Sequence, residues 1–478
     1  MSTADLRKRL VELDAAILEQ KLVLDGLQRD KTTVQRELSA ISTFPVSTGL
    51  PVEITTEIFA QCLPTIEELR EDKVPFIPST PLVPLVLLGV CRVWRDIALA
   101  APVLWTTVVI PSNIVEAGAF VDRWLGRAAL LPLSIIYHAF DVGPAPLRPL
   151  RDVIHQYAHR IEYLELSFSP FEISELELDS VVLPLLQRAT FGIPEYCSPG
   201  SMHAAKILGH APQLRAVVLL KEARLFHFTL PCLQLTKFEG EIDTLGIFRM
   251  APNLIEVKCA VGVGDFEETD ISHPRLKSLT VTVSSCRSPP TNLLDRFTLP
   301  ALHSLHVSGT TEATDSESLA DFFRRSAPPL RTLSINVDDC TYWEWSECFS
   351  CIANTLENLE VVWALPLFVD RILHLGSPAS GYHPLPHLQS LAFVHSMGVT
   401  HNALVHFLHN RSLLTPGSPP RFRSFRFNCP HGTFLNDEFV STSETSAEIT
   451  ADLAAFVDDG LDLCIPSGTR LMHHSRRL

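Results

Sequence analysis

The first 41 residues place apolar side chains at alternating spacings of three and four, which is the pattern of a coiled-coil seam. Charged residues lie mostly outside the seam, and the polar residues Gln20 and Lys31 interrupt it. We expect residues 1–42 to form one long helix that pairs with a second copy or with another helix. The alternative is a helix that packs back on its own protein. The apolar seam residues are Leu6, Leu10, Leu13, Ile17, Leu24, Leu27, Val34, Leu38 and Ile41.

Residues 43–49 contain Pro45 and Gly49 and are predicted to be a linker. The pattern of residues 50–110 then predicts short amphipathic helices, divided by a charged and proline-rich insert at 65–82. Pro51 suits a first helical position, where the missing N–H has no cost. A core this small is marginal alone and favours a partner.

Residues 111–150 are predicted to hold a connecting helix and strand. From about residue 150, the chain repeats a phrase of the form Leu-x-x-Leu-x-apolar at intervals of 19 to 34 residues. Clear copies begin at Leu214, Leu254, Leu276, Leu302, Leu330, Leu356, Leu388 and Phe422, and weaker copies begin at Ile161, Leu186 and Leu233.

Helical spacing precedes several copies of the phrase, at 201–212, 245–252, 318–328, 344–354, 368–375 and 402–410. Such an alternation predicts a degenerate leucine-rich-repeat solenoid over residues 151–430, with parallel strands on one face and helices on the other. A non-repeating α/β domain is the alternative. Residues 431–478 leave the pattern, and we expect this acidic and polar segment to be partly disordered.

The overall composition narrows the function classes. The chain of 478 residues carries a net charge of −15, which argues against a broad basic surface for nucleic acid. Its 11 cysteines show no disulfide spacing, and the N-terminus lacks the apolar core of a signal peptide. We therefore expect a cytoplasmic or nuclear protein.

Residues 50–105 resemble the F-box, in the form common in large fungal families. The resemblance rests on Leu50-Pro51-x-Glu53-Ile54, on Cys91-Arg92-x-Trp94-Arg95 and on Pro102-x-Leu104-Trp105, which occur in that order. It implies a three-helix motif that docks on the Skp adaptor of a cullin–RING ubiquitin ligase. The insert separates helices that many F-boxes join closely.

With this resemblance, the predicted fold is α+β and multi-domain: an N-terminal coiled-coil helix, a helical F-box, and an irregular leucine-rich-repeat α/β solenoid with parallel strands. The resemblance implies that the adaptor-binding residues are Leu50, Pro51, Glu53, Ile54, Ile58, Phe59, Leu63, Leu87, Val90, Cys91, Trp94 and Ile97. Substrate-binding residues are predicted from the outward positions of the repeat, and they are Arg215, Lys277, His303, His306, Arg331, Glu357, Glu360 and Gln389.

Motifs for nucleotide binding, metalloprotease chemistry and serine hydrolysis are absent from the sequence. Cys348 and Cys351 form a C-x-x-C pair, but no second pair follows, so we expect structural thiols and neither a metal nor a cofactor. Two function classes remain. One is a non-catalytic substrate receptor of a ubiquitin ligase, and the other is a coiled-coil and repeat scaffold that takes no part in ubiquitination. For the receptor we expect several of Leu50, Pro51, Ile54, Ile58 and Trp94 to be partly exposed, whereas for the scaffold we expect all five to be buried against the repeat domain.

Overall fold

The chain divides into two compact units in a computed structural model. The first comprises residues 1–108 and 122–131, and the second comprises residues 109–121 and 132–478. The structure describes residues 3–41, 50–71, 83–110, 117–138, 147–168, 170–193, 205–206, 208–221, 223–242, 244–261, 270–283, 291–309, 316–337, 342–374, 385–396, 401–412, 422–428, 447–464 and 470–471.

The first unit is helical. Its helices are α1 (Thr3–Ile41), α2 (Val52–Gln61), α3 (Ile66–Glu71), α4 (Val83–Val90) and α5 (Arg92–Ala100), followed by a 3-10 turn at Pro102–Trp105. The predicted linker at 43–49 and residues 72–82 of the predicted insert lie outside the described residues. No helix in the described part of the chain is both long and apolar enough to cross a membrane.

The apolar run from Leu87 to Ala98 suggests one helix by its spacing, but the structure breaks it at Cys91. This residue is extended (φ −157°, ψ 171°) and caps α5, because its Sγ accepts a hydrogen bond of 3.4 Å from the backbone N–H of Trp94. The side chain of Arg95 also bridges the break by donating to the Leu88 carbonyl at 2.9 Å. The two segments therefore form separate helices that pack against each other.

Aromatic side chains fill the core of the helical unit. Phe59 on α2 lies against Trp94 on α5, with ring centroids 4.8 Å apart. Trp105 is fully buried, donates from its indole N–H to the Ala98 carbonyl at 2.8 Å and contacts the ring of Trp124 at 4.8 Å. Buried rings of this size, with the indole N–H satisfied, supply much of the core of a unit this small.

The second unit contains most of a long sheet. Within the described residues it holds fifteen strands in the order β1-β2-β3-β4-β6-β8-β9-β11-β13-β14-β15-β16-β17-β18-β19, and each resolved pairing from β2 to β18 is parallel. The strands are β1 (Thr107–Ile110), β2 (Leu133–His138), β3 (Ile161–Ser167), β4 (Arg188–Ile193), β6 (Ala216–Lys221), β8 (Lys237–Ile242), β9 (Glu256–Val261), β11 (Ser278–Val283), β13 (Ser304–Gly309), β14 (Thr332–Asn336), β15 (Asn358–Val362), β16 (Ser390–Val394), β17 (Ser424–Asn428), β18 (Asp462–Cys464) and the antiparallel β19 (Arg470–Leu471). Two small parallel pairs join β5 (Ala205–Lys206) to β7 (Phe228–Thr229) and β10 (Ile271–Ser272) to β12 (Phe297–Thr298).

The repeated phrase explains this sheet. Its second apolar position forms one continuous register across the strands, and every apolar position of the eight clear copies is buried. From β6 to β18 this register runs Val217, Phe238, Val257, Leu279, Leu305, Leu333, Leu359, Leu391, Phe425 and Leu463. Each unit thus buries its apolar face only by stacking on its neighbours, as solenoid-like arrangements require.

Helices precede many of the strands, and most begin where the sequence predicts them. They are α6 (Ala117–Leu125), α7 (Leu147–Tyr157), α8 (Pro170–Glu175), α9 (Gly246–Met250), α10 (Thr291–Leu294), α11 (Ser316–Ser326), α12 (Tyr342–Ile352), α13 (Pro366–His374), α14 (His401–Ser412) and α15 (Ala447–Asp458). The helix predicted at 201–212 is not found among the described residues of that stretch, which instead contribute strand β5 and turns.

One weak copy of the phrase lies two residues further along the chain than its spacing predicts. The sequence suggests Leu233, Thr236 and Phe238, but Leu233 is 73% exposed, and the inward positions are Leu235, Phe238 and Gly240. Glycine takes the third position because a Cβ at Gly240 would lie 2.8 Å from the Cβ of Leu219. The missing side chain removes the apolar signal that would have identified the correct register.

The sheet extends beyond the predicted repeat limits of 151–430 at both ends. Strand β2, which lies before residue 151, pairs with β3. Strand β18, which lies in the segment expected to leave the pattern, pairs with β17. The helix α15 and the buried Leu463 reproduce the order of helix and apolar phrase found in the preceding repeats. Within the segment 431–478, predicted to be partly disordered, residues 431–446, 465–469 and 472–478 lie outside the described residues.

Candidate functional site

The helical unit exposes an unusual amount of apolar surface. On α2, Ile54 and Ile58 are 50% and 46% exposed, whereas Thr55 and Phe59, one position further along, are buried. The sequence places Ile54, Ile58 and Phe59 on one stripe, and the structure divides that stripe into an inward and an outward row. Residues four apart on a helix lie on the same face, so Ile54 and Ile58 form an outward pair. Between residues 50 and 105, the other large apolar side chains that are exposed are Leu50, Val52, Leu85, Val86, Val90, Val93, Leu99 and Val103.

The predicted adaptor-binding residues therefore occupy different environments. Phe59 and Leu87 belong to the core, and Leu63, Cys91, Trp94 and Ile97 are half-buried. Leu50, Pro51, Glu53, Ile54, Ile58 and Val90 are exposed. Four of the predicted adaptor-binding residues are aliphatic and exposed, namely Leu50, Ile54, Ile58 and Val90, and from here on the term exposed apolar residues means these four. Burying surface of this kind in a partner is favourable by about 25 cal/mol per Å².

Six predicted substrate-binding residues lie along one edge of the sheet, and the five from Lys277 to Gln389 stand at consecutive strands. Each stands just before a strand, and the N–H of each donates to the carbonyl of its counterpart on the preceding strand, as His303 does to Lys277 and Arg331 does to His303, both at 2.8 Å. Arg331 also forms an ion pair of 3.3 Å with Glu357. The six residues of this edge are Arg215, Lys277, His303, Arg331, Glu357 and Gln389.

The other two predicted residues, His306 and Glu360, lie on the outer face of the sheet, formed by the first, third and fifth residues of the strands. They flank Ser334 in one register across β13, β14 and β15. The Ser334 hydroxyl donates to Glu360 Oε1 at 2.8 Å. Burial lowers the pKa of His306, and the opposing effect of Glu360 is smaller. The trio therefore offers an imidazole, a hydroxyl and a carboxylate in adjacent positions on this face.

The outer face changes in character along the sheet. Strands β8 and β9 carry charges, including a Lys237–Glu256 ion pair of 2.7 Å, and Arg224 pairs with Glu241 at 2.8 Å. Strands β11, β13 and β14 carry short polar side chains instead, among them Ser278, Thr280, Thr282, Ser304, Ser308, Thr332, Ser334 and Asn336. A target that binds to β11, β13 and β14 would contact hydroxyl and amide groups, with the charged side chains of β8 and β9 beside them.

Sequence reasoning missed a buried polar cluster on β3 and β4. The hydroxyl of Tyr163 donates to the carboxylate of Glu165 and lies 3.2 Å from Thr190 Oγ1, and all three residues are buried. The alternation of Tyr163, Glu165 and their neighbours indicates an outward row but gives no sign that the row is covered. The outward residues are therefore buried at β3 and β4, half-buried or exposed on β8, β9, β11 and β13, and buried again at Ser334 and Asn336 on β14.

A second missed feature is an aromatic pair after strands β15 and β16. Trp363 is 46% exposed and stacks on His395, with ring centroids 4.9 Å apart and planes 24° from parallel. Both residues have positive φ, 62° and 52°, which is uncommon for residues with large side chains. The nearby Ser396 hydroxyl accepts a 3.0 Å hydrogen bond from the backbone N–H of Ala364 and ties the two turns together.

The cysteine pair on α12 shows no metal-site geometry. Cys348 is buried, and Cys351, expected as a structural thiol, is exposed. Burial raises the pKa of the Cys348 thiol well above its usual value. The described residues contain no group of three His, Cys, Asp or Glu side chains arranged to hold a metal ion.

No protein-family model and no curated protein matches the chain. Among solved structures, the chain is similar to a Bacteroides fragilis protein whose crystal structure was determined by the Northeast Structural Genomics Consortium. The two are 14% identical over 66% of this chain and 76% of that one, with a TM-score of 0.33. Likeness at this level assigns neither a family nor a function.

Proposed function

We propose that the chain is the substrate-receptor subunit of a Skp–cullin–RING ubiquitin ligase. In this proposal the helical unit is an F-box that binds the Skp adaptor, and the long parallel sheet is a degenerate leucine-rich-repeat domain that binds the target protein. The chain itself is non-catalytic and works in the cytoplasm or the nucleus. Its contribution is to hold the target near the ubiquitin-charged enzyme and so to raise the effective concentration of the target.

The observation that carries this proposal is the outward pair Ile54 and Ile58. A folded helical unit that keeps Phe59 and Trp105 buried, yet leaves two isoleucines half exposed on α2, has apolar surface to give to a partner. Within the helical unit, Leu50, Pro51, Ile54 and Ile58 are exposed and Trp94 is half-buried, so these side chains have surface that an adaptor could cover.

The outer strand face supports the second half of the proposal. On this face His306 and Glu360 are half-buried, and the edge from Arg215 to Gln389 adds side chains of both charges. Interfaces of this mixed polarity suit a protein segment better than a nucleic acid, whose phosphates would require a basic surface. The identity of the target is not specified by these residues.

A scaffold that takes no part in ubiquitination is the second candidate. The observation that favours it is α1, whose seam is exposed over most of its length and offers a coiled-coil interface. The scaffold function and the receptor function differ in whether the exposed apolar residues bind the adaptor.

The test is co-purification of the full chain with the Skp adaptor after co-expression. We expect the wild-type chain to retain the adaptor and the Ile54→Asp/Ile58→Asp variant to lose it, because each buried isoleucine contributes about 1.5–3 kcal/mol. Val182→Asp is the matched control, since Val182 is also exposed but lies in the second unit. Absence of adaptor from the wild-type purification, or equal retention by the variant, would leave the scaffold as the better account.

A further inference from the structure

The helix α1 carries a seam that nothing in the described part of the chain covers. Leu10, Leu13, Ile17, Leu24, Leu27 and Val34 are each more than half exposed. The helix has 39 residues, so it is about 58 Å long at 1.5 Å per residue. A helix of this length with an exposed apolar seam gains most of its stability by pairing with another helix.

The two polar interruptions of the seam distinguish the ways in which two copies of the helix could pair. In a parallel, in-register pair, each seam residue meets its own counterpart, so Lys31 would face Lys31. Two like charges in one layer of an apolar seam are destabilising. Gln20 would have only the Gln20 of the other copy as its neighbour in that layer.

An antiparallel pair removes this conflict. When Gln20 of one copy is set against Lys31 of the other, Leu24 faces Leu27 and Ile17 faces Val34. The same alignment brings positions 10 and 13 to positions 41 and 38, which are also seam positions. Every apolar layer is then kept, and the two polar residues share a layer in which the glutamine oxygen can accept a hydrogen bond from the lysine ammonium.

The charges beside the seam agree with this alignment. It brings Arg9 of one copy toward Glu37 of the other along the same side of the pair and sets no two like charges together at the positions that flank the seam. The charged residues of α1 from Asp5 to Glu37 are seven acidic and seven basic, so the helix has no net charge that would oppose its own pairing.

We propose that α1 pairs antiparallel with α1 of a second copy of the chain, in the register that places Gln20 against Lys31. This inference does not depend on the proposed ligase function. The paired segment of 32 residues spans about 48 Å, so the two copies of α2 to α5 follow from opposite ends of the pair. The dimer would then present two sets of exposed apolar residues that face separate partners.

Disulfide trapping tests the register directly. Full-length Gln20→Cys and Lys31→Cys chains are prepared separately, one with an affinity tag, then mixed and oxidised. We expect a cross-link between the two variants and little within either variant alone. Cross-linking within each variant alone would show a parallel pair and overturn the proposal. The unsubstituted chain is oxidised alongside as a control, because the native Cys62, Cys351 and Cys464 are exposed.

A charge substitution gives an independent measurement. In the antiparallel pair, Gln20→Glu places a carboxylate beside Lys31 twice in each dimer, so sedimentation equilibrium should show a dimer dissociation constant several-fold lower than that of the wild type. In a parallel pair the same substitution would set the two introduced carboxylates against each other and weaken the dimer. Thr32→Glu, outside the seam and the positions that flank it, is the matched control with the same change of charge. A wild-type chain that stays monomeric at 50 µM, a concentration at which a seam of roughly this length should pair, would overturn the proposal.

Discussion

The hydroxyl of Ser334 donates a 2.8 Å hydrogen bond to the carboxylate of Glu360 on the neighbouring strand, with both residues in one register on the outer face of the sheet. Ser334 is buried, so the bond forms where water competes poorly. We expect Ser334→Ala to lower the free energy of unfolding by about 0.5–1.5 kcal/mol, measured by urea denaturation. Ser278→Ala, on the same face but half-buried, should change it by less than about 0.5 kcal/mol. Equal effects of the two substitutions would contradict a specific role for the Ser334 bond.

His306 gives the sheet a pH dependence of known sign. Burial holds the pKa of His306 below its ordinary value, so the unfolded chain takes up a proton at higher pH than the folded chain. The stability supplied by neutral His306 is complete above the unfolded value of about 6.5 and is lost as pH falls through the folded pKa. Between pH 7.5 and 5.5, we expect the urea midpoint of the wild type to fall more than that of His306→Gln. The same fall in both proteins would show that His306 does not contribute.

The substitution Glu360→Gln should shift the pKa of His306 in a defined direction. The carboxylate of Glu360 raises the pKa of His306 and partly offsets the effect of burial. Its neutralisation should therefore move the pKa of His306 further down, which an NMR titration of the imidazole resonances would record. An upward movement would contradict the placement of the two side chains in one register.

Gly240 has a steric role at an inward position. A Cβ there would lie 2.8 Å from the Cβ of Leu219 and 3.3 Å from the Leu219 carbonyl oxygen. We expect Gly240→Ala to cost about 1–3 kcal/mol of unfolding free energy, as overpacking in a closed core does. Gly246→Ala is the control, because its Cβ would meet only side-chain atoms, the nearest at 3.3 Å. A Gly240→Ala protein as stable as the wild type would place the strands further apart than the structure does.

The cysteines should differ sharply in reactivity. Burial raises the pKa of Cys259 to about 12 and raises that of Cys348 as well, so neither thiol ionises near neutral pH. Mass-spectrometric mapping after brief alkylation should find label on Cys62, Cys351 and Cys464 but not on Cys259 or Cys348 until the chain is denatured. Rapid native labelling of Cys348 would show that α12 does not pack as described.

The sequence predicts the sheet better than it predicts the surfaces. Inward positions such as Leu279 and Leu305 are apolar because stacking buries them, so periodicity alone locates them. Periodicity does not locate Gly240, because the inward site there has no room for a side chain. Periodicity also does not predict the helix break at Cys91, because a capping hydrogen bond, which leaves no periodic signal, divides an apparently continuous helix.

The candidate surfaces depend on tertiary context that periodicity does not carry. Ile54 and Phe59 look alike on a helical stripe, yet one is exposed and the other fills the core. The Trp363–His395 pair depends on a positive φ at both residues, which the hydrophobic pattern does not signal. By contrast, His306 and Glu360 follow from counting outward positions, since their register is set by the inward leucines.

The measurement that tests the central claim most directly is a calorimetric titration of the full chain with the purified Skp adaptor at several temperatures. The account expects saturable binding, a negative heat-capacity change from burial of the exposed apolar residues, and an affinity at least about tenfold weaker for Ile54→Asp/Ile58→Asp. Absence of binding by the folded wild-type chain at every temperature, or equal affinity of the variant, would contradict it.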